Sequence, residues 1–529
     1  MQRLKRFALI VFEITLLSVL ILATRCANYQ DVFVAGNVYF VDADCYARMT
    51  RARLVREKPG LIIRNHEFEN FPEGTTPHTT APLDYLIVAL SLFLNPFTKH
   101  SLDLAGAFVS PLLALFGGWF LWWWSRRMKF RYGWVMLILY AISPILVHGT
   151  ELGRPDHQSL LILLLTIAIC AGWSSQTLHA ANMANAWRLT SAAAWALAIW
   201  VSAYEPLVLF LIVMATALLL NRRVVFGRDL RAGWILFAAI IAIALVVERR
   251  VPSFAILQST GHLKNWARTI GELAHVSPLN PVWLNWCGYL LLITPIFIWL
   301  SVRTRKDDAR GLHAPLVVPV LLIVTYFLTI WQARWGYFFV LIFAIALPAL
   351  VVPVKSSLAV WVAFVLSTFP ILRDWDERLW PNEAQLAARV ERRIESAQIR
   401  DLALSLRSPE VHPFLAPWWL SPSIAYWSGQ PGVAGSSHES LSGIEETARF
   451  FLSENLQEAR AILEKRHVAW VFAYDSARVA QNSAAVLNEP LRREPLTRVL
   501  DRTPSQAPPF LVFSVQNPAC KLYEVALER

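Results

Sequence analysis

Charge is what this sequence has least of. Asp, Glu, Lys and Arg make up 16% of its 529 residues, hydrophobic residues make up 56%, and the mean hydropathy is +0.42. A soluble domain of ordinary composition carries about a quarter charged residues, so that class is excluded and a polytopic membrane protein is implied. Cysteine is scarce as well. Five are present without any CxxC pair, which excludes a thiolate zinc site. Cys26, Cys45 and Cys520 fall outside the cytoplasm in the topology below, where a disulfide is permitted, but nothing selects a pairing. The net charge of +11 would suggest nucleic acid in a soluble chain. Here Lys and Arg cluster in short loops between apolar runs, where the positive-inside rule puts them, and no nucleic-acid partner is expected.

Apolar runs are abundant. Segments of about 17–22 residues can cross a bilayer, and they are placed near Phe7–Thr24, Asp103–Trp124, Tyr132–His148, Ser159–Trp173, Leu189–Ala203, Leu207–Leu220, Ala232–Val247, Leu284–Val302, Pro315–Trp331, Gly336–Val352 and Ser356–Ile371. The first, behind Arg3, Lys5 and Arg6, reads as an uncleaved helix, because Ala23-Thr24-Arg25 is a poor cleavage site. If it runs outward, Arg126-Arg127-Met128-Lys129, Arg188, Arg222-Arg223 with Arg228 and Arg231, Arg303-Thr304-Arg305-Lys306 and Lys355 all fall on the cytoplasmic side. Counting Leu83–Pro96 as a span would move the Arg126 cluster outside, so that segment is read as lying in the outer face.

The expected fold class is a polytopic α-helical membrane protein of about 11–13 transmembrane helices with a C-terminal mixed α/β soluble domain. The boundary falls between 1–372, with external loops 25–102, 149–158 and 248–283, and 373–529. The soluble part mixes charged helical patterns (Asn382–Leu406, Ser442–Lys465) with strand-like runs (His467–Tyr474, Phe510–Val515, Lys521–Val525).

The first external loop holds Asp42, Asp44, Glu67, Glu69 and Glu73, too much charge for hydrocarbon. Asp44 opens a helical stretch, where the helix dipole favours a carboxylate, and reads either as a cap or as a ligand. Asp156 and His157, in the turn Glu151–Gln158, begin another helix at the same membrane face. Capping chemistry is again the plain alternative. Two carboxylates meeting in a membrane-edge pocket repel unless a proton or cation joins them, and oxygen ligands suit Mg²⁺ or Mn²⁺. Glu272, in Arg268-Thr269-Ile270-Gly271-Glu272, reads as a solvated loop acid or a site residue. Arg334, at the outer end of a span, snorkels to headgroups or holds a phosphate with its fork of donors. Trp418 and Trp419 read as a ligand platform or as interfacial aromatics.

Taken in order, the loop Asp, Phe71-Pro72-Glu73-Gly74 followed by His78 and Pro82-Leu83, the second Asp, Thr269-Ile270-Gly271-Glu272, the outer Arg and Trp418-Trp419 resemble one family. It is the catalytic subunit of oligosaccharyltransferase, of the GT-C glycosyltransferase class. The resemblance implies transfer of a sugar or oligosaccharide from a polyprenyl-(di)phosphate donor to an acceptor at the non-cytoplasmic face, as in protein N-glycosylation. It implies a metal held by Asp44 and Asp156, with His157 or Gln158 completing the set, and Asp44 and Glu272 as catalytic residues. Arg334 would meet the donor phosphate, and Glu272, Trp418 and Trp419 would bind the acceptor. Two positions depart from the pattern. Gln158 replaces an acid, and Leu420 replaces the Asp of the Trp-Trp-Asp motif, so it cannot accept a hydrogen bond from a Ser or Thr hydroxyl. A site lacking a hydroxyl contact loses discrimination of roughly 10⁴, which leaves a lipid, glycan or non-sequon protein acceptor, or an inactive scaffold relative, as alternatives. The expected location is a bacterial inner membrane with the C-terminal domain in the periplasm.

Overall fold

The computed structural model describes residues 2–177, 181–220, 227–249, 261–304 and 314–527. The basic clusters at Arg222-Arg223 and Arg305-Lys306, and positions 250–260 of the third external loop, lie outside the described residues.

Gly336–Leu350 is the central helix. Every one of its residues is buried, as a helix apolar on all sides requires. Gly133–Ile142, Pro144–His148, His157–Thr177, Leu290–Thr304 and Val317–Trp331 pack around it. The first helix, Gln2–Arg25, lies at the periphery. Its outward side chains, among them Phe7, Phe12, Leu16 and Val19, are exposed, and with Phe116, Ile235, Val246, Leu292 and Phe327 they form the apolar exterior that lipid would cover.

Among the described residues five helices are long and apolar enough to span. They are Arg3–Arg25, Ser101–Arg127, His157–Thr177, Arg231–Glu248 and Ala333–Leu350, with a sixth if Ser357–Ser367 and Phe369–Leu379, bent by 43°, count as one. Several expected spans are shorter or broken, for identifiable reasons. Tyr132–His148 breaks before Pro144, which has no N–H to donate, and the Ser143 hydroxyl donates to the Trp286 carbonyl across the break at 2.7 Å. Leu284–Val302 breaks at Gly288, where φ is +75°, into Val282–Cys287 and Leu290–Thr304. Leu83–Pro96 forms the 14-residue helix Ala81–Leu94. It packs on the external helix Ala43–Glu57, and its buried Asp84 pairs with Arg48 at 2.8 Å.

The C-terminal region contains a four-stranded sheet in the order Phe414–Leu415, Trp470–Ala473, Lys521–Val525, Leu511–Gln516. The first pair is parallel and the other two antiparallel. The long helix Glu383–Leu404 starts at a capping box made by Asn382 and Gln385. The core of this region does not stop at its own edge. Phe40, Tyr46 and Met49 of the first external loop belong to the same buried cluster as Phe414, Tyr426 and Phe472. The Arg466 guanidinium lies between Glu446 and Glu73 and donates to the Phe71 carbonyl at 3.0 Å, fastening the Phe71–Gly74 turn. All five cysteines are free, and Cys45 and Cys520 are buried as small apolar residues of that shared core.

Candidate active site

Where the central helix, the first external loop and the C-terminal region meet, they enclose a cavity of about 660 Å³. Its walls come from at least five distant parts of the chain. They include Asp42 and Asp44, Arg154 and Asp156, Thr269–Glu272 with Arg334 and Tyr337, and Trp418, Trp419 and Ser436. Six residues singled out in the sequence therefore share one hollow: Asp44, Asp156, Glu272, Arg334, Trp418 and Trp419.

Local structure explains each placement. Ala43–Glu57 is capped by Asp42, whose carboxylate accepts the Cys45 backbone N–H at 3.0 Å. Capping thus falls to Asp42, and Asp44, in the first turn, is left to face the cavity. Its carboxylate is exposed to the cavity. The protein enclosing the cavity pushes that carboxyl above the usual range, the acids Asp42 and Asp156 add to the effect, and the Ser436 hydroxyl bonded to it works the other way. At Asp156 burial also disfavours the charge, but His157 outweighs it, helped by Arg48 and Arg154, and holds the carboxyl below the usual range. His157 Nδ1 lies 2.6 Å from Asp156 Oδ1.

Glu272 sits on the short turn Gly271–Leu273. The Tyr337 hydroxyl donates to its Oε1 at 2.9 Å and the Gln158 amide to its Oε2 at 3.3 Å. Gln158 thus has a defined role in the structure. A carboxylate at this position would face Glu272, whereas an amide can donate to it. His157 and Gln158 do not line the cavity. The atoms left without a partner are His157 Nε2 and Gln158 Oε1, both buried.

Arg334 makes its ion pair with Glu205, at 2.6 Å. Glu205 is buried at the start of Tyr204–Leu220 and reaches the cavity only through Arg334. Trp418 donates to Asn482 Oδ1 at 2.9 Å and stands edge-on to both Trp266 and Trp419. Leu420 turns elsewhere. With Trp419 it lines a neighbouring cavity of about 380 Å³.

Sequence reasoning missed Arg154, the cation among these acids. It lies 2.8 Å from Asp42, 3.2 Å from Glu151 and 3.9 Å from Glu272, and its Nη2 is 3.0 Å from His148 Nε2. Its place inside the acidic turn Glu151–Gln158 was a signal. Ser436, Tyr337 and His148 carry no local pattern that marks them.

Two carboxylates exposed to one cavity, one of them with its charge opposed by neighbouring acids, make an oxygen donor set that fits a hard divalent cation. The Asp44 and Asp156 carboxylates are the residues that would hold it, and Gln158 Oε1, two residues from Asp156, is a buried neutral oxygen without a partner.

No family model matches the chain, and no curated protein matches it in sequence. Solved structures do. The oligosaccharyltransferase of Archaeoglobus fulgidus, tethered to an acceptor peptide containing the NVT sequon, superposes with a TM-score of 0.68 at 14% identity, over 90% of this chain and 70% of that one. The oligosaccharyltransferase AglB from Archaeoglobus fulgidus, in complex with an inhibitory peptide and a dolichol-phosphate, gives 0.62 at 16% identity, over 89% and 70%. ArnT from Cupriavidus metallidurans, bound to undecaprenyl phosphate, gives 0.60 at 13% identity over 98% of both chains. This chain is an integral-membrane protein with the GT-C fold of these enzymes and a C-terminal α/β region.

Proposed function

We propose that this protein is a membrane glycosyltransferase that moves a sugar or oligosaccharide from a polyprenyl-(di)phosphate donor to an acceptor. The observation that carries the reading is the convergence of Asp44, Asp156, Glu272 and Arg334 on one cavity beneath the C-terminal region. Carboxylates and an arginine at a membrane face suit a lipid-linked phosphate, which presents negative charge and a reactive anomeric carbon together.

In this reading the acceptor nucleophile attacks the anomeric carbon, the bond from that carbon to the phosphate oxygen breaks, and the lipid phosphate leaves. Arg334 donates to the phosphate oxygens as charge develops there, exchanging part of its bond with Glu205. Asp44 and Asp156 would hold a divalent cation, Mg²⁺ or Mn²⁺, which when bound would neutralise charge on the leaving phosphate. Asp44 and Glu272 orient the nucleophile, Glu272 being held for this by Tyr337 and Gln158. Trp418 and Trp419 form the acceptor side. The membrane is a bacterial inner membrane, with 373–529 as a periplasmic domain.

The second reading keeps the donor and changes the acceptor to a lipid, a glycan or a protein without a sequon. Leu420 favours it, being apolar and outside the main cavity. Membranes from expressing cells, given labelled lipid-linked sugar and an Asn-x-Thr peptide, separate the two. Labelled glycopeptide supports N-glycosylation, and label in another product supports the second reading. Asp44→Asn abolishes either product. Transfer undiminished in D44N would overturn the site, whereas no transfer by the wild type either would leave the scaffold alternative standing.

A further inference from the structure

A second cluster of metal-ligating side chains lies beside His157, the neighbour of the cavity-lining Asp156. His78 comes from the first external loop, and His438 and Glu439 come from the short helical turn His438–Ser440 of the C-terminal region. Among the described residues this is the set of three such side chains whose ligating atoms all lie within 4.8 Å of one another. Glu439 Oε1 is 2.7 Å from His78 Nδ1, and Glu439 Oε2 is 3.5 Å from His438 Nδ1. Ligand atoms around a tetrahedral zinc, each about 2.0–2.1 Å from the metal, stand about 3.3 Å apart, so the spacing needs only local adjustment.

Two further observations point to a ligand. Glu439 Oε2 is buried and accepts no hydrogen bond. His157, whose ring stands edge-on to His78 with centroids 5.9 Å apart, is buried with its Nε2 unpartnered, while its Nδ1 is bonded to the Asp156 carboxylate. A histidine held by a carboxylate through one nitrogen and free at the other is the usual preparation for a metal ligand.

We propose that His78, His438 and Glu439 form a structural zinc site, its fourth position taken by water, that clamps the C-terminal region to the first external loop. Two imidazoles and a carboxylate suit Zn²⁺ and do not suit Mg²⁺, so this site is chemically separate from the oxygen donors of the cavity. Binding replaces the proton on His78 Nδ1 with the metal. His78, 37% exposed at its side chain, leaves a route from solvent. The site stands on its own geometry and does not depend on the transfer chemistry.

Full-length protein in detergent, stripped of metal and titrated with Zn²⁺ and separately with Co²⁺, tests it. Expected are one tight Zn²⁺ per chain, a rise in Tm on loading, and the intense visible bands of four-coordinate Co²⁺. His438→Gln weakens binding at least 10-fold and removes both the bands and the Tm rise, whereas D44N keeps all three. His78→Gln, at a more exposed position, is the companion variant, and whichever of the two elutes as a folded monodisperse protein decides the matter. Zinc stoichiometry and Co²⁺ bands unchanged in that variant would overturn the proposal. So would their loss in D44N, which would move the metal to the cavity, or phosphate alone producing the Tm rise, which would make the cluster an anion site.

Discussion

Arg154 lies within ion-pair distance of three carboxylates and is itself buried. Glu151 is largely buried, while Asp42 and Glu272 are about a third exposed, so removing the cation costs less than the roughly 3–5 kcal/mol of a fully buried pair. Arg154→Met is expected to lower Tm sharply and to abolish transfer, as thermal unfolding in detergent and the lipid-linked sugar assay will show. Arg154→Lys recovers only part of the stability, because an ammonium lacks the fork that reaches Asp42 and Glu151 together. Glu69 offers a test by pH. Burial raises its carboxyl to about 7, offset in part by Arg51 and reinforced by Glu439. The folded state therefore binds a proton that the unfolded state, near the ordinary value of about 4.3, has lost. Its stabilisation is complete below pH ~4.3 and declines as pH rises through about 7. Glu69→Gln removes the dependence, so the Tm of the variant minus that of wild type grows between pH 5 and pH 8. A difference that stays flat would refute the assignment. Acids such as Glu69 and Arg154's partners were visible in the sequence as loop charge. Their convergence was not, because it brings together segments far apart in the chain.

At the scale of elements, the site depends on how closely Gly336 approaches Trp286. A Cβ on Gly336 would stand 2.8 Å from Cζ3 of the indole, and Trp286 also lines the cavity. Gly336→Ala must push that ring aside, at a cost of about 1–3 kcal/mol for overpacking. It is expected to lower Tm modestly and to raise the donor KM more than it lowers kcat, with kinetics on labelled lipid-linked sugar as the check. Element existence was legible from hydropathy for Ser101–Arg127 and His157–Thr177, whose apolar runs continue past 18 residues. Element ends were less so. The break at Ser143–Pro144 shows why: hydropathy ignores that Pro144 has no N–H to donate, and the Ser143 hydroxyl that donates across the break reaches the Trp286 carbonyl, far off in sequence.

For the whole molecule, the shared core decides what can be separated. Phe40 and Tyr46 pack edge-on and tilted against Tyr426, and the Arg53 guanidinium lies 4.0 Å over the Tyr426 ring. A chain ending at Leu379 exposes Phe40, Tyr46 and Met49. A fragment spanning 383–527 exposes Tyr426 and Trp427. Neither is expected to stay monodisperse in size-exclusion chromatography, whereas the full chain in detergent does. A well-behaved 383–527 fragment with a cooperative melt would show that the two parts fold independently after all.

Composition and apolar runs by themselves determined that this is a helical membrane protein with a polar outer face, because the bilayer imposes one length and one polarity on whatever crosses it. The motif order determined which residues to watch. Only the tertiary structure decided that Asp44, Asp156, Glu272 and Arg334 share a hollow, that Asp42 does the capping, that Gln158 serves Glu272, and that His78 meets His438. Those are contacts between segments whose spacing along the chain carries no record of their distance in space. A central helix buried on every side sets that distance, and nothing local does.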